Sequence, residues 1–252
     1  MPQKLDYFGA TDIGQVREKN EDNFLINEFS LTSTVWQAGP GIHLPGAGTP
    51  IPGFLLMAVA DGMGGHIDGE HASQVVLNTV CGYICEQIPR FVLASHWQDE
   101  IEGILAASIA AAHKALIIDS KQRPDSKAMG ATLTAAFIAW PMAHVVHIGD
   151  SRCYHLQEQS IRMVTRDHTV QQLRDDLDNG QASAQQQELF SNVNWDQIRK
   201  RDALWNVIAA NADDVYPEYY RFELRPGDSL LICSDGLVKH VADKQLLKHI
   251  AG

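Results

Sequence analysis

No CxxC pair occurs in the 252 residues, and four cysteines are too few and too scattered for a disulfide framework. Cys81 and Cys85 stand four apart on a predicted helix, where two thiols on one face make an incomplete metal site; with Cys153 and Cys233 they read as buried thiols of a reducing compartment. The N-terminus, MPQKLDYFGATD, lacks the basic-then-apolar pattern of a secretory signal, and no apolar run reaches about 18 residues. There is no GxxxxGK[ST], which excludes a P-loop nucleotide site. The stretch DDLDNGQASAQQQE fails as a calcium loop, because Leu177 and Gln186 fall where ligands belong. Basic residues are short as well, 20 Lys and Arg against 31 Asp and Glu, for a net charge of −11. A nucleic-acid surface would need clustered cations, so none is expected. The expectation is a cytoplasmic monomer, off the membrane, with residues 1–252 forming one domain around a single sizeable core. An acidic chain can still take anionic substrates where a bound divalent cation inverts the local field.

What is present is a run of strands with helices inserted. LDYFGATD (5–12) and DNFLINE (22–28) alternate as strands. Residues 38–53 hold five glycines and four prolines, which neither helix nor ladder survives, and are expected to be a loop. FLLMAVAD (54–61) is apolar on both faces, as an interior strand should be. Apolar residues at helical spacing predict helices over about 69–88 (Ala72, Val75, Val76, Val80) and around Ile101, Ile104, Leu105, Ile109 and Leu116. Strands follow at 131–139, 143–150, 152–157 and 160–165. Helical material is expected over 168–210, then strands at 219–225 and 229–235, and a short helix at 242–250. Runs of strands with helix pairs between them predict antiparallel sheets covered by helices rather than alternating βαβ units.

Three strands share one ending, an apolar run that stops at Asp beside a small residue: AVA-Asp61-Gly62, VHI-Gly149-Asp150-Ser151 and LIC-Ser234-Asp235-Gly236. One Asp-Gly after a strand is ordinarily a turn. Three raise a second possibility: if the strands end at one rim, the acids converge and raise each other's pKa unless a hard cation takes their oxygens. Glycine beside Asp61 would let a backbone oxygen approach such an ion.

The array Arg17-Glu18-Lys19-Asn20-Glu21-Asp22, then Val59-Ala60-Asp61-Gly62-Met63-Gly64-Gly65-His66 with Gly69-Glu70 and Ala72-Ser73, resembles the bacterial PP2C-type (PPM) serine/threonine protein phosphatases. So do Met129-Gly130-Ala131-Thr132-Leu133, Gly149-Asp150-Ser151-Arg152, Thr165-Arg166-Asp167-His168, and Pro226-Gly227-Asp228 leading to Cys233-Ser234-Asp235-Gly236-Leu237. The motifs stand in the family's order over about residues 7–240. The resemblance implies an α+β fold, a four-layer αββα sandwich of two antiparallel sheets flanked by helices. It also implies two Mn²⁺ or Mg²⁺ ions at one rim, with a weaker third position. Carried over residue by residue, Asp61 bridges the two ions, the Gly62 carbonyl binds one and Asp235 the other. Asp22 and Glu21 act through metal-bound waters, Asp150 with Asp235 marks the third position, and Arg17 grips the substrate phosphate.

The implied chemistry is hydrolysis of phosphoserine or phosphothreonine by a metal-activated water, on protein substrates supplied by a cognate Ser/Thr kinase. A water at the metal centre is preferred over His66 as proton donor, since the position after Asp61-Gly62 that holds histidine in eukaryotic relatives is Met63. His144 and His147, three apart in a strand, face opposite ways and read as packing or surface residues. Two alternatives stand beside this function: a pseudophosphatase that binds phosphoproteins without turnover, and a small-molecule phosphomonoesterase. Retention of Arg17, Asp22, Asp61 and Asp235 favours catalysis. Segments 38–53 and 180–210 depart from the family pattern. So does the C-terminal end, where the family's Asp-Asn pair and final strand do not appear before Gly252. The expected consequences are a weakened ion site and a vacant sheet position.

Overall fold

The computed structural model describes residues 5–15, 17–29, 33–39, 54–64, 67–93, 97–123, 129–195, 198 and 200–250. In chain order the elements are β1 (Asp22–Phe29), β2 (Ser33–Ala38), β3 (Phe54–Met63), α1 (Ile67–Leu93), α2 (Trp97–Gln122), β4 (Gly130–Ala131), β5 (Leu133–Ala139), β6 (Met142–Ile148), β7 (Arg152–Gln157) and β8 (Ser160–Met163). There follow α3 (Val170–Asp178), α4 (Ala184–Leu189), β9 (Ile208–Ala209), β10 (Glu218–Glu223), β11 (Ser229–Cys233), α5 (Asp235–Val238) and α6 (Asp243–Ile250). All strand pairings are antiparallel. The larger sheet runs β10-β6-β5-β3-β1-β2, with β4 and β9 joined beyond the end of β3; the smaller runs β11-β7-β8.

The period-two pattern of each strand sorts its residues between two faces. On β1, Leu25 and Phe29 face the helices, while Phe24 and Ile26 face the other sheet. On β3, Leu56, Ala58 and Ala60 face the helices, and Leu55 and Met57 face the smaller sheet. This is why β3 is apolar on both sides. Helices α1 and α2 cover the outer face of the larger sheet through Val76, Val80, Ile84, Leu105, Ile109 and Leu116. By length and composition Asp99–Gln122 of α2 could cross a membrane; here its apolar stripe packs into this core. Helix α6 covers the outer face of the smaller sheet, with Leu246 against Tyr154 and Leu156. The order is helices, sheet, sheet, helix: the four-layer sandwich that the motifs implied.

Three expectations need correction. Residues 5–12 form no strand. Their alternating side chains are spent on packing, with Leu5 and Tyr7 against Ile26 and Leu55, and Gly9 lies so close to the Phe24 ring that a Cβ there would sit 2.3 Å from it. The stretch 131–139 is broken at Thr132, whose hydroxyl is taken by the backbone of Asp61. Among the described residues of 168–210 only α3 and α4 are α-helices. Thr169 caps α3 by accepting from the Gln172 N–H, and Ser183 and Gln186 form a capping box on α4. The other described residues include a cluster of tilted and edge-on rings: Trp205 meets His168 at 4.9 Å and Phe190 at 5.3 Å, and Phe190 meets Trp195 at 6.1 Å. Aromatic clustering leaves no helical period to read. Of segment 38–53, all but Ala38 and Gly39 lies outside the described residues, as do Gly65 and His66. Three of the cysteines are buried as expected; Cys85 is half-buried, with its sulfur 4.0 Å from that of Cys81.

Phe137 sits at the middle of the main core, tilted against Phe29 at 6.0 Å and stacked on Phe54 at 5.5 Å. Phe137→Ala should cost about 3–5 kcal/mol of unfolding free energy, read from the urea midpoint; a loss below about 1 kcal/mol would mean the core collapses readily there.

Candidate metal centre

The site begins with a register. Strands β1 and β3 pair so that Asp22 lies directly opposite Asp61, and parity places both on the face turned toward the smaller sheet. Asp61 does not end its strand as expected, since β3 continues through Gly62 and Met63, which pair with Ala131 and Gly130 of β4. Like charges opposite one another destabilise a ladder. Burial pushes the Asp61 carboxyl up to about 8, helped by the charges of Asp22 and Asp235 and more weakly by Asp150. Its backbone N–H donates to Thr132 Oγ1 at 3.0 Å, and the Thr132 hydroxyl lies 2.9 Å from that of Ser151.

The acidic turn before β1 is fixed from α1. Asn23 Nδ2 donates to Ser73 Oγ at 2.8 Å, and the Ser73 hydroxyl reaches the Glu21 carbonyl at 2.8 Å. The Gly62 N–H also donates to that carbonyl, at 3.2 Å. Glycines are needed here for close approach. A Cβ on Gly62 would fall 1.9 Å from the Gly69 carbonyl oxygen, and one on Gly69 would fall 2.8 Å from Glu21 Oε1 and 3.0 Å from the Gly62 carbonyl oxygen. The Glu21 carboxylate and the Gly62 carbonyl therefore border the same small space.

The smaller sheet contributes Asp235, at the start of α5 immediately beyond β11. Its neighbour Ser234 donates from Oγ to Asp22 Oδ2 at 2.6 Å, which ties the two sheets together at this rim. Asp150 sits in the β6–β7 turn, after Gly149 at φ 106°. Its carboxyl is pushed up to about 6 by burial, then by Asp235 and Asp167, with Lys239 pulling the other way. Arg17 stands over half exposed, 3.5 Å from Glu21 Oε2. A groove of about 730 Å³ lined by Arg17, Asp22 and Asp235 continues along β11 between Leu230 and Phe8. Among the described residues the only strand paired with β11 is β7.

The donor set fits a hard cation. Glu21 Oε1 and Asp22 Oδ1 are buried with no hydrogen-bond partner, and such oxygens are costly unless something positive takes them. Among the described residues, however, no three carboxylate, histidine or cysteine side chains close into a ready chelate. Asp22 is engaged with Ser234, and the Asp235 carboxylate is bonded to the Lys239 ammonium.

A model of the protein phosphatase 2C family matches residues 51–251. The chain belongs to that family. The serine/threonine protein phosphatase PstP of Mycobacterium tuberculosis is 33% identical over 249 residues, covering 97% of this chain and 38% of the relative. The serine/threonine phosphatase stp of Listeria monocytogenes is 28% identical over 236 residues, covering 94% of this chain and 79% of the relative. A crystal structure of the PstP catalytic domain in complex with two manganese ions superposes with a TM-score of 0.62 at 29% identity, over 95% of this chain and 81% of that one. The chain thus spans less than two fifths of the full mycobacterial relative.

Within this member of the family, the six acids and carbonyls expected from sequence (Glu21, Asp22, Asp61, Gly62, Asp150 and Asp235) gather at one rim, with Arg17 at its edge. Sequence reasoning missed Lys239, Thr132 and Ser234. Lys239 lies two residues beyond the Ser-Asp-Gly-Leu motif, and its i,i+4 spacing from Asp235 was a legible signal. His144 and His147 do point to opposite faces, but neither is at the surface. His147 is fully buried, 2.9 Å from Thr134 Oγ1 and 2.7 Å from the Arg166 carbonyl. Burial and the facing His168 hold its pKa down at about 3.

Asp61 titrates near 3.8 when unfolded and near 8 when folded, so between those values the native state holds a proton that the unfolded chain releases. Metal-free stability should therefore fall as pH rises through that window and level off above it. Urea unfolding in EDTA at pH 5, 6.5 and 8 should show the slope, and Asp61→Asn should flatten it.

Proposed function

We propose that this chain is a metal-dependent phosphatase acting on phosphoserine and phosphothreonine in proteins, and so opposes a Ser/Thr protein kinase that supplies its substrate. The observation that carries the reading is the Asp22–Asp61 pair, half-buried and opposed across neighbouring strands, with Asp235 brought to it from the other sheet. The manganese-bound structure of the PstP catalytic domain supports two Mn²⁺ or Mg²⁺ ions as the cofactor. Asp61, the Gly62 carbonyl and Asp235 would hold these ions, and Asp150 would contribute with Asp235 to a weaker third position. When bound, the ions supply an acidified water and neutralise charge on the phosphoryl group.

The remaining steps belong to side chains. Asp22 and Glu21 would accept hydrogen bonds from waters around the ions, which suits their unpartnered oxygens. Thr132 holds the Asp61 backbone so that its carboxylate keeps one orientation. Arg17, exposed and only loosely paired with Glu21, would turn to the phosphate and grip two of its oxygens with its planar fork.

Hydrolysis of p-nitrophenyl phosphate should depend on Mn²⁺ and stop in EDTA. Asp61→Asn and Asp235→Asn should each lower kcat by at least about 10²-fold at saturating Mn²⁺, because each removes charge from a cation ligand. Near-normal turnover by either variant would refute the assignment. A phosphopeptide panel set against a metabolite panel decides the substrate class.

Arg17→Ala should weaken phosphate binding and slow turnover while calorimetry shows Mn²⁺ binding unchanged. Loss of Mn²⁺ binding instead would make Arg17 a support of the acidic turn.

A further inference from the structure

Asp235 already has a cation. The Lys239 ammonium is bonded to Asp235 Oδ2, one turn on along α5. The Asp235 side chain is 17% exposed and that of Lys239 63%, so the lysine reaches in from solvent while the acid stays fixed in the wall of the site. The ammonium also feels Asp150 and Asp61, and with Asp235 they raise its pKa. Arg17, the other cation at the rim, is turned to Glu21. Lys239 therefore places a positive charge on Asp235, at the edge of the converging acids.

We propose that Lys239 is a built-in rival to the metal ion at Asp235. This rests on the phosphatase reading above and adds a control on its metal loading. The ammonium sits on one of the two Asp235 carboxylate oxygens, so a divalent ion arriving there meets a cation already in place, and loading is an exchange: the lysine swings out along its flexible stem as the ion enters. The arrangement does two things. It stabilises the metal-free site, whose acids would otherwise repel, and it raises the free-metal concentration at which Asp235 is loaded. The position at Asp61 and the Gly62 carbonyl, which Lys239 does not touch, is affected less. A serine, alanine or acidic residue at position 239 would leave Asp235 free for the ion. The residue acts on substrate turnover only through Asp235, so it is a positioning residue.

The test is Mn²⁺ calorimetry and thermal unfolding on the whole chain with Lys239→Gln and Lys239→Arg. Lys239→Gln should tighten the weaker Mn²⁺ site by about threefold to tenfold, the scale of a partly exposed charge pair, and leave the tighter site within about twofold. The same variant should unfold at a lower temperature than wild type in EDTA and at an equal temperature in saturating Mn²⁺. Lys239→Arg keeps the cation and should restore wild-type values in both measurements. Unchanged or weaker Mn²⁺ binding in Lys239→Gln would overturn the proposal while leaving the phosphatase reading intact. Absence of any Mn²⁺ binding by the wild-type chain would overturn both.

Discussion

Two carboxylates opposed across one ladder are the constraint around which this molecule is arranged. Asp22 and Asp61 are placed face to face by the β1–β3 register, and a one-residue slip of β1 would turn Asp22 toward the helices and the apolar residues of β1 toward the wrong side. The register is held by the apolar sets on both faces of β3 and by the Asn23–Ser73 bond to α1. The repulsion it creates is met locally by Ser234, by protonation of Asp61 and by Lys239 on the neighbouring acid. Sheet packing stabilises an electrostatic arrangement that would not assemble for its own sake, a common relation between scaffold and site.

Much of the fold could be read from residues alone, because the interior strands and the two long helices carry strong periods. β3, β5 and β6 are apolar on both faces since helices lie on one side and a sheet on the other, and that doubling is visible in FLLMAVA and ATLTAAFIA. What could not be read has physical reasons. Residues 5–12 alternate like a strand yet lie over β1, because alternation reports a half-buried extended chain and not the presence of a hydrogen-bonding neighbour. The described residues of segment 179–206 gather at Phe190, Trp195 and Trp205 with His168, contacts with no sequence period.

The site was legible in a different way. Its acids stand at strand ends in recognisable motifs, so their identity followed from sequence. Their partners did not. Thr132 was read as a strand residue, and only the break between β4 and β5 shows its hydroxyl turned to the Asp61 backbone. Lys239 was passed over because a lysine on a short surface helix is ordinarily a solvated charge; its importance lies in which carboxylate is one turn behind it.

The Ser234–Asp22 hydrogen bond joins residues 212 apart in sequence. It closes a loop that contains nearly the whole sandwich, and such a closure comes only after the intervening chain has been ordered. During synthesis, then, the emerging polypeptide can build the helix pair and most of the larger sheet before the acidic site is complete. The acids of the first strand wait, solvated, for a serine that arrives more than two hundred residues later. Assembly of the acidic site is thereby coupled to completion of the sandwich: a partly made or partly unfolded chain has the acids but not their arrangement.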